Sequence, residues 1–78
     1  MGEVETAVRD IVTRITKVAP DRIGLDTDLK SELNVDSLQG LQIVAALENQ
    51  FGVRLPDEEL DNYTTVRLIT DTVTRLRV

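Results

Sequence analysis

Asp36-Ser37-Leu38-Gln39-Gly40-Leu41-Gln42-Ile43-Val44-Ala45-Ala46-Leu47-Glu48-Asn49-Gln50-Phe51-Gly52 is the stretch whose reading decides the fold. Asp36 suits an N-cap, with Gln39 at the third helical position as an Asp version of the capping box. The spacing predicts a helix over 37–51, with Gly52 placed to take the left-handed turn that ends it. One face carries Gly40, Ile43, Val44, Leu47 and Phe51, and a core needs only that set. A second apolar stripe, Leu38, Leu41 and Ala45, has no role in such a core.

Upstream, Val4, Ala7, Val8, Ile11, Val12, Ile15, Val18 and Ala19 recur at helical spacing. They predict a helix over 3–18, with Arg9, Asp10, Thr13, Arg14 and Lys17 outward and Pro20 as its terminator. Residues 20–35 form a long connection, and its Ile23, Leu25, Leu29, Leu33 and Val35 are expected to pin it to the core. Thr27 or Asp28 can start a helical turn running to Leu33.

Downstream, Pro56 followed by Asp57, Glu58 and Glu59 suits the start of a short helix reaching Asn62. Thr64 or Thr65 then caps a last helix with Val66, Ile69, Val73 and Leu76 inward. The fold class is all-α: a small bundle of three main helices plus one short helix, with a long first loop.

Composition sets the chemistry. The chain has 78 residues, which is one domain, too short for a nucleotide-binding fold or a cleft between two lobes. It has no Cys and no His, which removes disulfides, thiolate nucleophiles, Cys- and His-based metal sites and His-based triads. With only Phe51 and Tyr63 as aromatics there is no base-stacking platform. The net charge of −5 repels a phosphate backbone, so no nucleic acid is expected as partner. The charge is uneven. Asp36, Glu48, Asp57, Glu58, Glu59 and Asp61 face only Arg54 over residues 36–62, which suits partners with basic patches. No run nears the roughly 18 apolar residues of a membrane span. The acidic Met1-Gly2-Glu3-Val4-Glu5 lacks the features of a signal peptide, so a cytoplasmic protein without membrane contact is expected. These absences point to carrying rather than catalysing.

Ser37 is the one hydroxyl in a special place. It opens the central helix, where free N–H groups and the positive end of the macrodipole favour phosphate. A serine there can equally do no more than help Asp36 cap the helix.

The blocks around Ser37 carry more. Leu33-Asn34-Val35-Asp36-Ser37-Leu38 is followed by Ile43-Val44-Ala45-Ala46-Leu47-Glu48. Then come Phe51-Gly52-Val53, Leu55-Pro56-Asp57-Glu58-Glu59 and Tyr63-Thr64-Thr65-Val66. In order and spacing these blocks resemble the acyl carrier proteins, over roughly residues 25–75, with Asp36-Ser37-Leu38 as the family's Asp-Ser-Leu signature.

The resemblance implies a single carrier domain over 1–78, of the free-standing bacterial type and not an enzyme. It implies that Ser37 receives 4′-phosphopantetheine from coenzyme A through a Mg²⁺-dependent phosphopantetheinyl transferase. The arm's thiol, which a cysteine-free chain must import, then holds acyl groups as thioesters. It also implies recognition by the transferase, an acyltransferase, a ketosynthase and other pathway enzymes through Asp36, Leu38, Leu41, Ala45 and Glu48, with the chain a monomer.

Two departures from the family pattern stand out. Asn34 occupies a position that is usually Gly, and Asn tolerates a left-handed backbone. Gln39, Gln42, Asn49 and Gln50 stand where fatty-acid members commonly have acids, which suggests a specialised polyketide-type pathway over fatty-acid synthesis. Gly40 inside the helix costs about 1 kcal/mol relative to Ala, and reads either as room beside the arm or as a tolerated surface glycine. Two other readings stand beside the main one. One is an aminoacyl or peptidyl carrier, although peptidyl carriers commonly have His at the position of Asp36. The other is an unmodified acidic helical adaptor.

Overall fold

The computed structural model describes residues 2–56 and 63–77. Its elements in chain order are α1 (Glu3–Thr16), a 3₁₀ turn (Pro20–Arg22), α2 (Ser37–Phe51) and α3 (Val66–Leu76). Among the described residues there is no strand, so the chain is the all-helical bundle expected. The short helix expected over 57–62 lies outside the described residues. None of the described helices is long and apolar enough to cross a membrane.

The α1 stripe packs against both α2 and α3. Val8, Ile11 and Val12 are sealed from solvent, with Val4 and Ala7 beside them and Ile15 and Val18 at the edge. The helix ends earlier than Pro20 would dictate. Lys17 turns left-handed at φ 65°, and its N–H donates to the Thr13 carbonyl at 2.8 Å. The Thr16 hydroxyl donates back to the Val12 carbonyl at 2.7 Å, a local bond that competes with helix continuation. Pro20 instead opens the 3₁₀ turn. The residue before a proline is held extended, so Ala19 leaves the helical stripe and is exposed.

The long connection is pinned as expected. Ile23, Leu29 and Val35 are buried, and Leu25 and Leu33 pack against the core. Asp28 organises the turn before α2. Its Oδ1 accepts from the Lys30 and Ser31 N–H groups, and Glu32 Oε2 accepts from the Asp28 N–H, all at 2.9–3.0 Å. The Ser31 N–H, and after it the Lys30 N–H, hold the Asp28 carboxyl below its ordinary range. Asn34 adopts φ 58°, the left-handed conformation its side chain tolerates, and the Val35 N–H closes the turn on the Leu29 carbonyl at 2.9 Å.

The same loop is tied to the start of α3. The Leu29 N–H donates to the Thr64 carbonyl, and the Arg67 N–H to the Leu25 carbonyl. The Arg67 guanidinium forks onto Asp26 at 2.8 and 3.2 Å. That pairing lowers the Asp26 carboxyl and raises Arg67.

In α2 the buried face is Ile43, Val44 and Leu47. Gly40 and Phe51, expected on that face, are only half-buried. Phe51 lies at the end of the helix and closes the edge of the core, with the Arg77 guanidinium 5.2 Å over its ring. Gly52 ends α2 at φ 64°. Thr65 caps α3, its Oγ1 accepting from the Leu68 N–H. Val66, Ile69 and Val73 are buried as expected, but Leu76 is 43% exposed because the core ends one turn earlier. Thr70 and Thr72 are buried instead. The Thr72 hydroxyl can be inside because it donates to the Leu68 carbonyl at 2.9 Å, four residues back.

Candidate functional site

Ser37 is exposed at the first position of α2, two residues after the buried Val35. Asp36 fixes the helix start. Its Oδ1 accepts from the Gln39 N–H at 2.8 Å and its carbonyl accepts from the Gly40 N–H at 2.9 Å. The Ser37 and Leu38 N–H groups belong to the first turn, which has no intrahelical acceptors, and they carry the positive end of the dipole. The site is therefore a free hydroxyl on a rigid shoulder, facing a field that favours an anion.

Beside it lies a cavity of about 140 Å³ between α2, the long connection and α3. Its walls are Val35, Ile43, Val44, Leu47, Leu55 and Ile69, while Ser37, Gly40 and Leu41 line it from the near end of α2. Lys30, Asp36, Tyr63 and Thr64 supply the polar part of the lining. An apolar cavity of about 150 Å³ stays dry and accepts a benzene-sized molecule. The space beside Ser37 thus has the size and chemistry for a short hydrocarbon.

Of the residues expected at a partner surface, Asp36, Leu38, Leu41 and Ala45 are brought together as an exposed side of α2. Leu38 is 65% and Leu41 47% exposed, so neither is packed away under the long connection. Glu48 differs from the rest. It is half-buried, and its Oε2 accepts the Leu55 N–H at 2.8 Å, which turns the carboxylate towards its own chain. Gln42, Asn49 and Gln50 are exposed and Gln39 is half-exposed, so the outer side of α2 is neutral through its middle.

Sequence reasoning missed the cavity and the two bonds that hold its far wall. Those bonds run from the Leu55 N–H to Glu48 and from the Tyr63 hydroxyl to the Pro56 carbonyl at 3.2 Å. No spacing signal marks either bond, since in each the partners sit seven residues apart along the chain.

A 4′-phosphopantetheine group fits these residues. The hydroxyl is accessible, its phosphate would lie in the field of the α2 N-terminus, and apolar volume adjoins it.

Comparison with known proteins agrees. Residues 6–73 match the family described as "Phosphopantetheine attachment site". The chain is 37% identical over 65 residues to an acyl carrier protein of Campylobacter hominis, covering 83% of this chain and 82% of that protein. It is 39% identical over 64 residues to one from Renibacterium salmoninarum, covering 82% and 79%. It is 34% identical over 70 residues to one from Thermosynechococcus vestitus, covering 90% and 86%. With a family match across most of its length, the chain belongs to the acyl carrier proteins, phosphopantetheine-bearing carriers rather than catalysts.

Proposed function

We propose that Ser37 is the attachment point of the arm and that residues 1–78 act as one carrier domain. In this reading the domain passes acyl thioesters between enzymes of a specialised, polyketide-type pathway. The observation that carries the attachment is the exposed Ser37 hydroxyl at the capped start of α2, beside an apolar cavity. Ser37 Oγ forms the new bond to the phosphate of coenzyme A nearest its pantetheine; 3′,5′-ADP leaves with the bonding electrons, and the hydroxyl proton passes to the transferase. Once bound, the arm supplies the thiol that a chain without Cys lacks.

The partners in this reading are the phosphopantetheinyl transferase, an acyltransferase and a ketosynthase. They meet the exposed side of α2 through Asp36, Leu38, Leu41 and Ala45, while Glu48 faces its own chain. The neutral Gln42, Asn49 and Gln50 on that side support the polyketide-type reading, because they offer little to a strongly basic docking patch.

The test is intact-mass spectrometry after incubation with a transferase and coenzyme A. The wild-type chain should gain one phosphopantetheinyl group and Ser37→Ala none. A gain in the alanine chain would move the attachment elsewhere.

A further inference from the structure

Backbone bonds place Lys30 beside the start of α2. The Val35 N–H donates to the Leu29 carbonyl at 2.9 Å, which folds the segment after Leu29 back against the residues just before Ser37. The Leu29 N–H is held in turn by the Thr64 carbonyl at 2.8 Å, and Leu29 is buried, so the peptide leading into Lys30 is anchored. The Lys30 N–H adds a bond to Asp28 Oδ1 at 2.9 Å. The side chain is exposed and lines the same space as Ser37, where it is the only cation among the described residues. Its ammonium makes no ion pair among the described residues. The carboxylates around it are already engaged. Asp28 accepts from the Lys30 and Ser31 N–H groups, Glu32 from the Asp28 N–H, and Asp36 from the Gln39 N–H.

We propose that Lys30 is a positioning residue for the arm: its ammonium pairs with the phosphodiester formed on Ser37 and holds the arm's first bonds on the long-connection side of α2. This rests on the attachment reading above. Loading adds one negative charge at Ser37 Oγ, next to the Asp36 carboxylate, in a chain whose net charge is already −5. The helix start alone lets that charge turn about the Ser37 side chain, whereas a cation on one flank fixes its direction. Lysine suits the task as a point charge on a flexible four-carbon stem, long enough to reach across a space of about 140 Å³. Leu38 takes no part in lining that space and is 65% exposed. An arm held towards Lys30 therefore leaves the Leu38 side of α2 clear for a partner.

The experiment is a thermodynamic cycle. Melting temperatures are taken for the unloaded and the fully phosphopantetheinylated chain, in wild type, Lys30→Gln and Lys30→Arg, with loading read first by intact mass. An exposed pair of opposite charges shifts an equilibrium by about two- to fivefold. In a domain of this size that moves the melting temperature by about 2–8 °C. The change on loading should be more favourable in wild type than in Lys30→Gln by that amount, and Lys30→Arg should match wild type. The difference should vanish in salt of about 1 M, where charges are screened within about 3 Å. In phosphorus NMR the loaded wild-type and arginine chains should give a broader phosphodiester line than the glutamine chain, because a held phosphate tumbles with the protein. A lysine that served only the fold would not move that line. Equal loading shifts in wild type and Lys30→Gln overturn the proposal, as does a difference that survives high salt or a line width that Lys30→Gln leaves unchanged. Failure of the attachment reading is separate: it shows beforehand, as a wild-type chain without the mass gain, and takes this inference with it.

Discussion

Glu48 shows how a single carboxylate can serve the fold from a position expected to serve a partner. Its bond to the Leu55 N–H satisfies a buried backbone donor and holds Leu55, 3% exposed, as a wall of the cavity. Glu48→Ala leaves that N–H without its acceptor and should cost about 1–3 kcal/mol. Glu48→Gln keeps a side-chain oxygen in place and should lose about 1 kcal/mol or less. Chemical denaturation of the two variants checks the order. Equal losses would show that the charge, and not the acceptor, is what matters. Asp36 was legible as a cap because a cap is a local rule, and Asn34 as a left-handed residue for the same reason. Glu48 was not, since nothing in its neighbourhood on the helix points to a loop seven residues on.

At the level of elements, the long connection is held to α3 by Arg67 and Asp26, and that tie has a pH signature. The Arg67 guanidinium holds the folded Asp26 carboxyl below the value near 3.9 of an unfolded chain. A lowered folded value means that the contribution is fully present above the unfolded value and is lost as pH falls through the folded one. The melting temperature of Asp26→Asn should therefore lie slightly below wild type at neutral pH. The gap should close as the pH drops below about 4, and it should be small because the pair is exposed and screened. A gap independent of pH would place the effect in packing. Asp28, lowered by backbone N–H groups, adds to the same acid window.

The neutral side of α2 gives a second test at this scale. Gln39→Glu, Gln42→Glu and Asn49→Asp together should speed malonyl transfer from a fatty-acid-type transferase at low salt. The gain should fade as salt rises, because exposed charges are screened within about 10 Å at 0.1 M. No change at low salt would remove the neutral residues as a device of partner choice. Helix ends were the least legible feature of the elements. Spacing put Ala19 and Leu76 inward, yet each lies just past the point where its helix stops meeting the core. Thr70 and Thr72 lie outside the apolar stripe that spacing marks, and the Thr72 hydroxyl is hidden by bonding back into its own helix.

Across the whole molecule, the bundle and the position of Ser37 were readable because caps, breakers and apolar spacing are written along the chain. The cavity was not. Val35, Ile43, Val44, Leu47, Leu55 and Ile69 all read alike as core, and a void forms where such side chains fail to meet, which only three-dimensional packing decides. Phe51 carries the same lesson from the other side, as a core residue by spacing that the fold uses as an edge.

At the far end of α2 from Ser37, Arg77 lies over Phe51 and reaches Glu3 at 3.6 Å. The start of the first helix and the end of the last thus meet at one pole, separated from the hydroxyl by the length of α2, 15 residues or about 22 Å. This polarity gives the molecule a handle. A flexible ten-residue Gly/Ser tether has a mean span of about 17 Å, too short to bring its anchor over the opposite pole. The chain can therefore be grafted onto a solid support, or spliced to an enzyme at either end, and still swing its working pole freely. Loading at Ser37 should run at the same rate in both fusions as in the unattached chain, as followed by intact mass over time. A fusion at one end that slowed it would mean that this end comes closer to the hydroxyl than the Arg77–Glu3 contact allows.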